Sequence, residues 1–259
     1  MCLKAVCVFL GFFVSVHSVA SAQAEPAVGS IVVRAKNVRG SQRAKIPLSR
    51  KRFYLFAGGL ADNKDLVDSI RAAEITSRDC FYNSLKASPC FISWLNEGNC
   101  ESPFCRAIKR EDIKGVKEFE SAYAKGLVAY RNKPDLALSW MINNLPPDLT
   151  SGYYRQQRSF VEKITASRKP LQTILSTAAG AEATFAGVPV TGKSTKYLVS
   201  NILPVEIDKK ADTWACEIDV QAAKPSNLIL ALPLDPKRKN CVLVEKELKT
   251  CSVEACNKQ

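Results

Sequence analysis

The residues that could do chemistry here are best approached through the one that is nearly absent. The chain has a single histidine, His17, inside an apolar run near its start. Beyond it there is no imidazole to serve as base in Ser-His-Asp or Cys-His catalysis. Histidine-ligated zinc and iron lose their ligand, and so does general acid-base catalysis in its commonest form at neutral pH. Carboxylate pairs, a Ser-Lys dyad and tyrosine remain. Glu97, Glu101, Glu111, Asp112, Glu118 and Glu120 crowd one stretch, and two such acids across a cleft would suit glycoside hydrolysis. Against that, Glu118 and Glu120 are two apart on a helix and do not face each other. Glu111-Asp112 reads as a helix N-terminus. No residue is assigned a catalytic role, and no metal or cofactor is expected.

Two further patterns could bind ligands. Gly187-Val188-Pro189-Val190-Thr191-Gly192-Lys193-Ser194 matches the G-x-x-x-x-G-K-[ST] phosphate loop. That chemistry needs a helix N-terminus after the loop. Thr195-Lys196-Tyr197-Leu198-Val199 is β-prone instead, so the segment reads as a hairpin turn between strands. The second pattern is basic: Arg34, Lys36, Arg39, Arg43, Lys45, Arg50, Lys51 and Arg52, with no acid between Pro26 and Ala61. Arg34, Lys36, Arg50, Lys51 and Arg52 are the candidates for holding a polyanion, with Tyr54 and Phe56 on the Arg52 face. The alternative is a solvated sheet face whose cations discourage edge-to-edge pairing.

Cysteines decide more. Of ten, Cys2 and Cys7 precede residue 25. Cys80, Cys90, Cys100 and Cys105 form one group, and Cys216, Cys241, Cys251 and Cys256 another. Eight cysteines in an exported chain read as four disulfides. The grouping suggests pairing within each four, each allowing three connectivities. Short C-x-x-C pairs, the signature of zinc sites, are absent.

Export is the reading of residues 1–24: Lys4, an apolar run from Ala5 to Val16, then Ser18-Val19-Ala20-Ser21-Ala22-Gln23-Ala24. This is the layout of a signal peptide with an A-x-A cleavage site, and the apolar run is too short to span a bilayer. The expected destination is the periplasm or the exterior. The chain has a net charge of +12. Cleavage after Ala24 would remove Lys4 and no acid, leaving 36 basic against 25 acidic side chains, net +11. That balance favours an acidic polymer, a membrane surface or an envelope protein as partner. No N-x-Ser/Thr acceptor occurs.

The elements that must position these residues fall into three segments. In 25–60, Ile31, Val33 and Ala35 alternate with Val32, Arg34 and Lys36, and Phe53 to Phe56 alternate again, which predicts half-buried strands. Residues 61–180 carry helical stripes and start signals: Asp62 or Asn63 before Leu66, Val67, Ile70 and Ala73; Ser88-Pro89 before Phe91, Trp94 and Leu95; Ser102-Pro103; Phe119 to Tyr130; Pro134 before Leu136, Trp140 and Met141; and a last pair reaching Leu175. Trp94, Tyr123, Tyr130 and Trp140 fit a core at helical spacing. In 181–259, strands return at Lys196–Val199, Trp214–Val220, Leu228–Leu232 and Cys241–Val244. Two early strands make no stable sheet alone. The expected fold is therefore α+β: an antiparallel β-sandwich built from both ends of the chain, around a disulfide-stapled insertion of about five helices.

The opening Gly29-Ser30-Ile31-Val32-Val33-Arg34-Ala35-Lys36, with the run to Phe56, resembles the first strands of transthyretin-like and carboxypeptidase-regulatory-like sandwich domains. Gln42 to Lys45 departs from the small apolar spacing usual there. The resemblance implies a seven-strand sandwich used for support or binding and transfers no catalytic residue. The remainder resembles uncharacterised exported bacterial proteins. Together these readings give an exported, non-catalytic binding or structural protein with a polyanionic partner; the alternative is an exported carboxylate hydrolase acting on a polysaccharide.

Overall fold

Alternation sets β1 (Val28–Asn37): Ile31 and Val33 are fully buried while Arg34 stays in solvent. The computed structural model describes residues 27–37, 51–98, 100–177, 182–207, 210–232, 234–235, 237–248, 251 and 254–257. Within them β1 pairs antiparallel with β4 (Glu182–Pro189) and parallel with β8 (Pro225–Leu232), giving a three-stranded sheet. The second sheet runs β3 (Gln172–Leu175), β2 (Arg52–Ala57), β5 (Thr195–Ser200), β7 (Lys210–Val220), β6 (Val205–Ile207), with β9 (Cys241–Glu247) also on β7. All its pairings are antiparallel. The β1–β8 pair is the exception to an antiparallel sandwich. A parallel pair needs a long crossover, and nearly the whole chain separates these two strands.

The sheets pack face to face. Ile31, Val33, Phe185, Val188, Leu228 and Leu230 meet Phe53, Leu55, Val199, Trp214 and Cys216 across the interior. The Trp214 indole donates to the carbonyl of Ala231 at 3.2 Å, which satisfies the one polar group that ring brings inside.

Strands β2 and β7 are not half-buried as their alternation predicts. Tyr54, Phe56, Leu198, Ala215 and Val244 point away from the sandwich core and are buried too. They lie under Leu66, Val67 and Ile70 of α1 (Lys64–Ala72) and Ile164 of α7 (Pro147–Ile164). The layers are therefore sheet, sheet and helix.

Between α1 and α7 run α2 (Arg78–Ser84), α3 (Pro89–Glu97), α4 (Arg110–Ile113), α5 (Lys117–Ala129) and α6 (Pro134–Asn143). Their core centres on Tyr82, Phe91, Trp94, Phe119 and Met141. Helix α3 starts as its sequence dictates: Ser88 Oγ accepts from the Phe91 amide at 3.2 Å and Pro89 opens the first turn. Ser102-Pro103 starts no helix; Ser102 Oγ accepts from Phe104 N at 3.3 Å inside a loop closed by Cys100–Cys105. Asn63 stands at the α1 N-cap, but its side chain does not cap. Residues 172–175 form β3 rather than the end of a helical pair, because the open edge of β2 takes up Thr173 and Ile174 as ladder partners.

Four disulfides form among the described residues, and two of them correct the expected grouping. Cys100–Cys105 and Cys216–Cys241 pair within their fours, the latter between register partners on β7 and β9. Cys80–Cys251 and Cys90–Cys256 cross between the groups. They tie the segment after β9 back onto α2 and α3.

Candidate functional site

The site grows from three segments far apart in sequence. Helix α7 starts at Pro147, and its inner face, Leu149, Tyr153 and Ile164, is buried. Strand β6 alternates: Val205 enters the sandwich core, so Glu206 turns to the helical side. The loop between α1 and α2 brings Glu74, Ile75 and Thr76 to the same place. Together they line a cleft of about 320 Å³, at the lower end of the range of small-molecule sites.

Its polar floor is a short network. Tyr153 Oη donates to Glu206 Oε1 at 3.1 Å, and the Arg78 amide, first in α2, donates to the same oxygen at 3.2 Å. Burial pushes the Glu206 carboxyl up, against the two hydrogen bonds that favour its charged form. Burial also raises the Tyr153 hydroxyl well above its ordinary range, with the neighbouring Glu206 charge adding to it. Tyr153 therefore stays a donor throughout the physiological range.

Gln156, just short of one helical turn from Tyr153, lines the same cleft and buries its Oε1 without a hydrogen-bond partner. An orphaned buried acceptor is costly unless something supplies a donor. Phe160, Leu203 and Pro204 form the apolar wall, and Lys163 and Glu74 bring opposite charges to it.

The wall at Leu203 and Pro204 is held by polar anchors. Asn201, 1% exposed, donates to the carbonyls of Leu203 (2.8 Å) and Asp212 (3.2 Å) and accepts from Trp214 N at 2.7 Å. Ile202 sits fully buried at φ 44°. The left-handed region is unfavourable for a β-branched side chain, and it persists because its surroundings over-determine it.

No protein-family model, curated protein or solved structure matches this chain.

The residues singled out by sequence lie elsewhere. Arg34, on the outer face of the three-stranded sheet, pairs with Glu182 at 2.9 Å and reaches Asn227 at 3.3 Å. Lys51 pairs with Glu101 at 2.7 Å. Arg52 is exposed on β2, on the side of the second sheet that faces the helices. Arg34 and Arg52 thus leave the sandwich in opposite directions, and Tyr54 and Phe56 beside Arg52 are buried. Lys36 belongs to β1. Arg39, Arg43, Lys45 and Arg50 lie outside the described residues, as do residues 1–24, where a leader is expected.

The phosphate-loop match joins β4 to β5, which belong to different sheets. It is an arch between layers rather than a hairpin, and a strand follows it where phosphate binding needs a helix. The helical carboxylates all have structural partners. Glu118 accepts from Ser88 N and Oγ, both at 2.6 Å, and Glu120 from Gly115 N at 2.8 Å. Asp112 accepts from Lys109 N at 2.9 Å. Glu97, Glu101 and Glu111 pair with Arg106, Lys51 and Lys109. Trp94 is core, Tyr123 and Trp140 are part-buried, and Tyr130 is exposed. Among the described residues no three His, Cys, Asp or Glu side chains gather to hold a metal, and no helix is long and apolar enough to cross a membrane.

Sequence reasoning missed Glu206, Tyr153 and Gln156. The i,i+4 spacing of Leu149 and Tyr153 extends the stripe of Phe160 and Ile164 and marks Tyr153 as inward-facing. Nothing near Glu206 distinguishes it from its charged neighbours.

Proposed function

We propose that this chain is an exported, disulfide-bonded binding protein of the cell envelope or extracellular space, acting without catalysis and holding a neutral saccharide in the cleft between α7 and β6. The observation that carries this is Gln156 Oε1, buried in the cleft wall and lacking a donor. A ligand rich in hydroxyl donors satisfies it once the half-buried Gln156 side chain turns its amide into the cleft, together with the free lone pairs of Glu206. The opposite charges of Lys163 and Glu74 offset each other, and burial disfavours the charge of Glu206, the remaining carboxyl of the cleft. Phe160 and Pro204 offer an apolar wall to the C–H face of a sugar ring. Four disulfides suit an oxidising compartment, which is where envelope saccharides are found.

Calorimetric titration of the oxidised protein with neutral mono- and disaccharides tests this. Saturable binding that Gln156→Ala weakens about tenfold, the worth of a well-made hydrogen bond, supports it. Binding that is undetectable at millimolar sugar, or indifferent to Gln156→Ala, overturns it.

A second reading is supported by one further observation. Glu74 and Glu206 line the same cleft, and a carboxyl raised by burial is what a general acid requires. In that reading the protein is a carboxylate-dependent hydrolase of a polysaccharide. Release of new reducing ends, abolished by Glu206→Gln, distinguishes it from simple binding.

A further inference from the structure

The α5–α6 hairpin ends in a tip that its own packing does not explain. Gly126 lets the two helices approach closely; a Cβ there would stand 2.7 Å from the carbonyl oxygen of Ala137. Beyond this contact the chain turns through Arg131 and Asn132, both left-handed at φ 48° and 60°. Every residue from 128 to 136 is exposed. Three of them are large and apolar: Val128 at 83%, Leu136 at 46% and Tyr130 at 38% exposed. One such side chain in solvent is ordinary; three within nine residues of one hairpin tip call for an explanation.

The unpaired charges at the tip have one sign. Lys125, Arg131 and Lys133 are exposed, and no ion pair holds any of them among the described residues. No acid occurs between Glu120 and Asp135. Those two are occupied, Glu120 by the Gly115 amide and Asp135 by Arg110 at 2.6 Å. An apolar tip ringed by cations with an aromatic at the boundary is the composition that seats in the headgroup region of an anionic bilayer.

We propose that the α5–α6 tip docks this protein on an anionic membrane surface, with Val128, Tyr130 and Leu136 entering the interface and Lys125, Arg131 and Lys133 meeting lipid phosphates. The surface is separate from the α7–β6 cleft, and its test does not depend on any ligand there.

The test is co-sedimentation of the oxidised chain with vesicles of phosphatidylcholine alone or with about a third phosphatidylglycerol, at low and high salt. The chain is expected on the anionic vesicles only, and to be released by high salt as screening requires. Replacing Lys125, Arg131 and Lys133 together by Gln should weaken binding about a hundredfold, since each cation near such a surface is worth about fivefold. Val128→Ser with Tyr130→Ser should weaken it about tenfold by removing buried apolar area. These side chains are exposed, so the variants keep the fold, which unchanged circular dichroism confirms. Equal binding to neutral vesicles, or none to anionic ones, overturns the proposal. Loss on removing the cations but not the apolar pair, with equal competition by a soluble polyanion such as dextran sulfate, overturns it in favour of a polyanion site.

Discussion

The two bridges between the helices and the segment after β9 make a thermodynamic prediction whose size follows from topology. Cys80–Cys251 and Cys90–Cys256 have sequence separations of 171 and 166. Either one alone would close a loop of that length, worth about 5 kcal/mol in the chain-entropy account. They do not close independent loops. With one in place, the path between the other two cysteines runs ten residues from 80 to 90, across the bridge, and five from 251 to 256. The second bridge therefore closes a loop of only about 15 residues, worth about 3 kcal/mol. Replacing one pair, Cys80→Ala with Cys251→Ala or Cys90→Ala with Cys256→Ala, should cost about 3 kcal/mol. Replacing both pairs should cost about 8 kcal/mol, more than the two single losses together. Cys90 is 7% exposed and Cys256 packs on the helical core, so the second pair carries an added packing loss. The assay is urea unfolding under oxidising conditions, with the midpoint and slope compared for all four proteins. Strict additivity at about 5 kcal/mol each would show two independent loops and refute the nested arrangement. So would two thiols that alkylate without reduction in the Cys80/Cys251 variant, because that outcome requires both residues to have had other partners.

Two further predictions follow from buried polar groups. Because burial raises the Glu206 carboxyl, the folded chain holds that proton more tightly than the unfolded one. Its stabilising contribution is complete below the ordinary carboxylate range and is lost as pH rises through the raised value. In Glu206→Gln that loss disappears, so thermal melts should show the variant gaining on the natural protein as pH rises from about 4 to neutrality; a pH-independent difference would refute this. Asn63, 1% exposed, donates to the carbonyls of Ala57 (3.0 Å), Gly58 (3.2 Å) and Gly59 (2.8 Å) and accepts from Arg168 at 2.9 Å. Asn63→Ala takes the donor from the Gly58 and Gly59 carbonyls, while Arg168 still reaches the Ala57 carbonyl at 3.2 Å, and should cost about 2–4 kcal/mol in urea unfolding; a cost below about 1 kcal/mol would mean that water replaces it.

What could be read from the sequence divides along the range of the interactions. Alternation at Ile31 and Val33 and the cap at Ser88-Pro89 are local, and the chain folds there as its residues dictate. The same alternation misled at β2 and β7, and the reason lies in the residues themselves. Tyr54, Phe56, Leu198 and Ala215 occupy the supposed solvent positions and are apolar or nearly so. Apolar residues on both faces are the mark of a strand covered on both sides, here by a sheet and by helices. The disulfide grouping failed for a related reason. Proximity in sequence is a weak guide to pairing once helices and tail fold back on one another, and nothing around Cys251 or Cys256 records that the chain returns to α2 and α3. The parallel β1–β8 pair is equally non-local.

The fate of the carboxylates carries the argument to function. Glu118, Glu120 and Asp112 drew attention because acids crowd the helical segment, yet each satisfies a backbone amide at a helix start or turn, Glu120 and Asp112 within five residues and Glu118 at Ser88, the start of α3. Crowding reflects how many helix starts and turns the segment contains, since each leaves amides to be satisfied. Glu206 differs in kind. Its partner Tyr153 is 53 residues away in the chain, and its other partner, the Arg78 amide, 128. Burial works against its charge rather than an ion pair supporting it. A carboxyl that costs the fold stability when ionised, beside an amide oxygen left without a donor, is poorly explained by folding alone. That cost is recovered if a ligand supplies the missing hydrogen bonds, which is why the cleft between α7 and β6, rather than the basic strands or the acidic helices, is where binding should be sought.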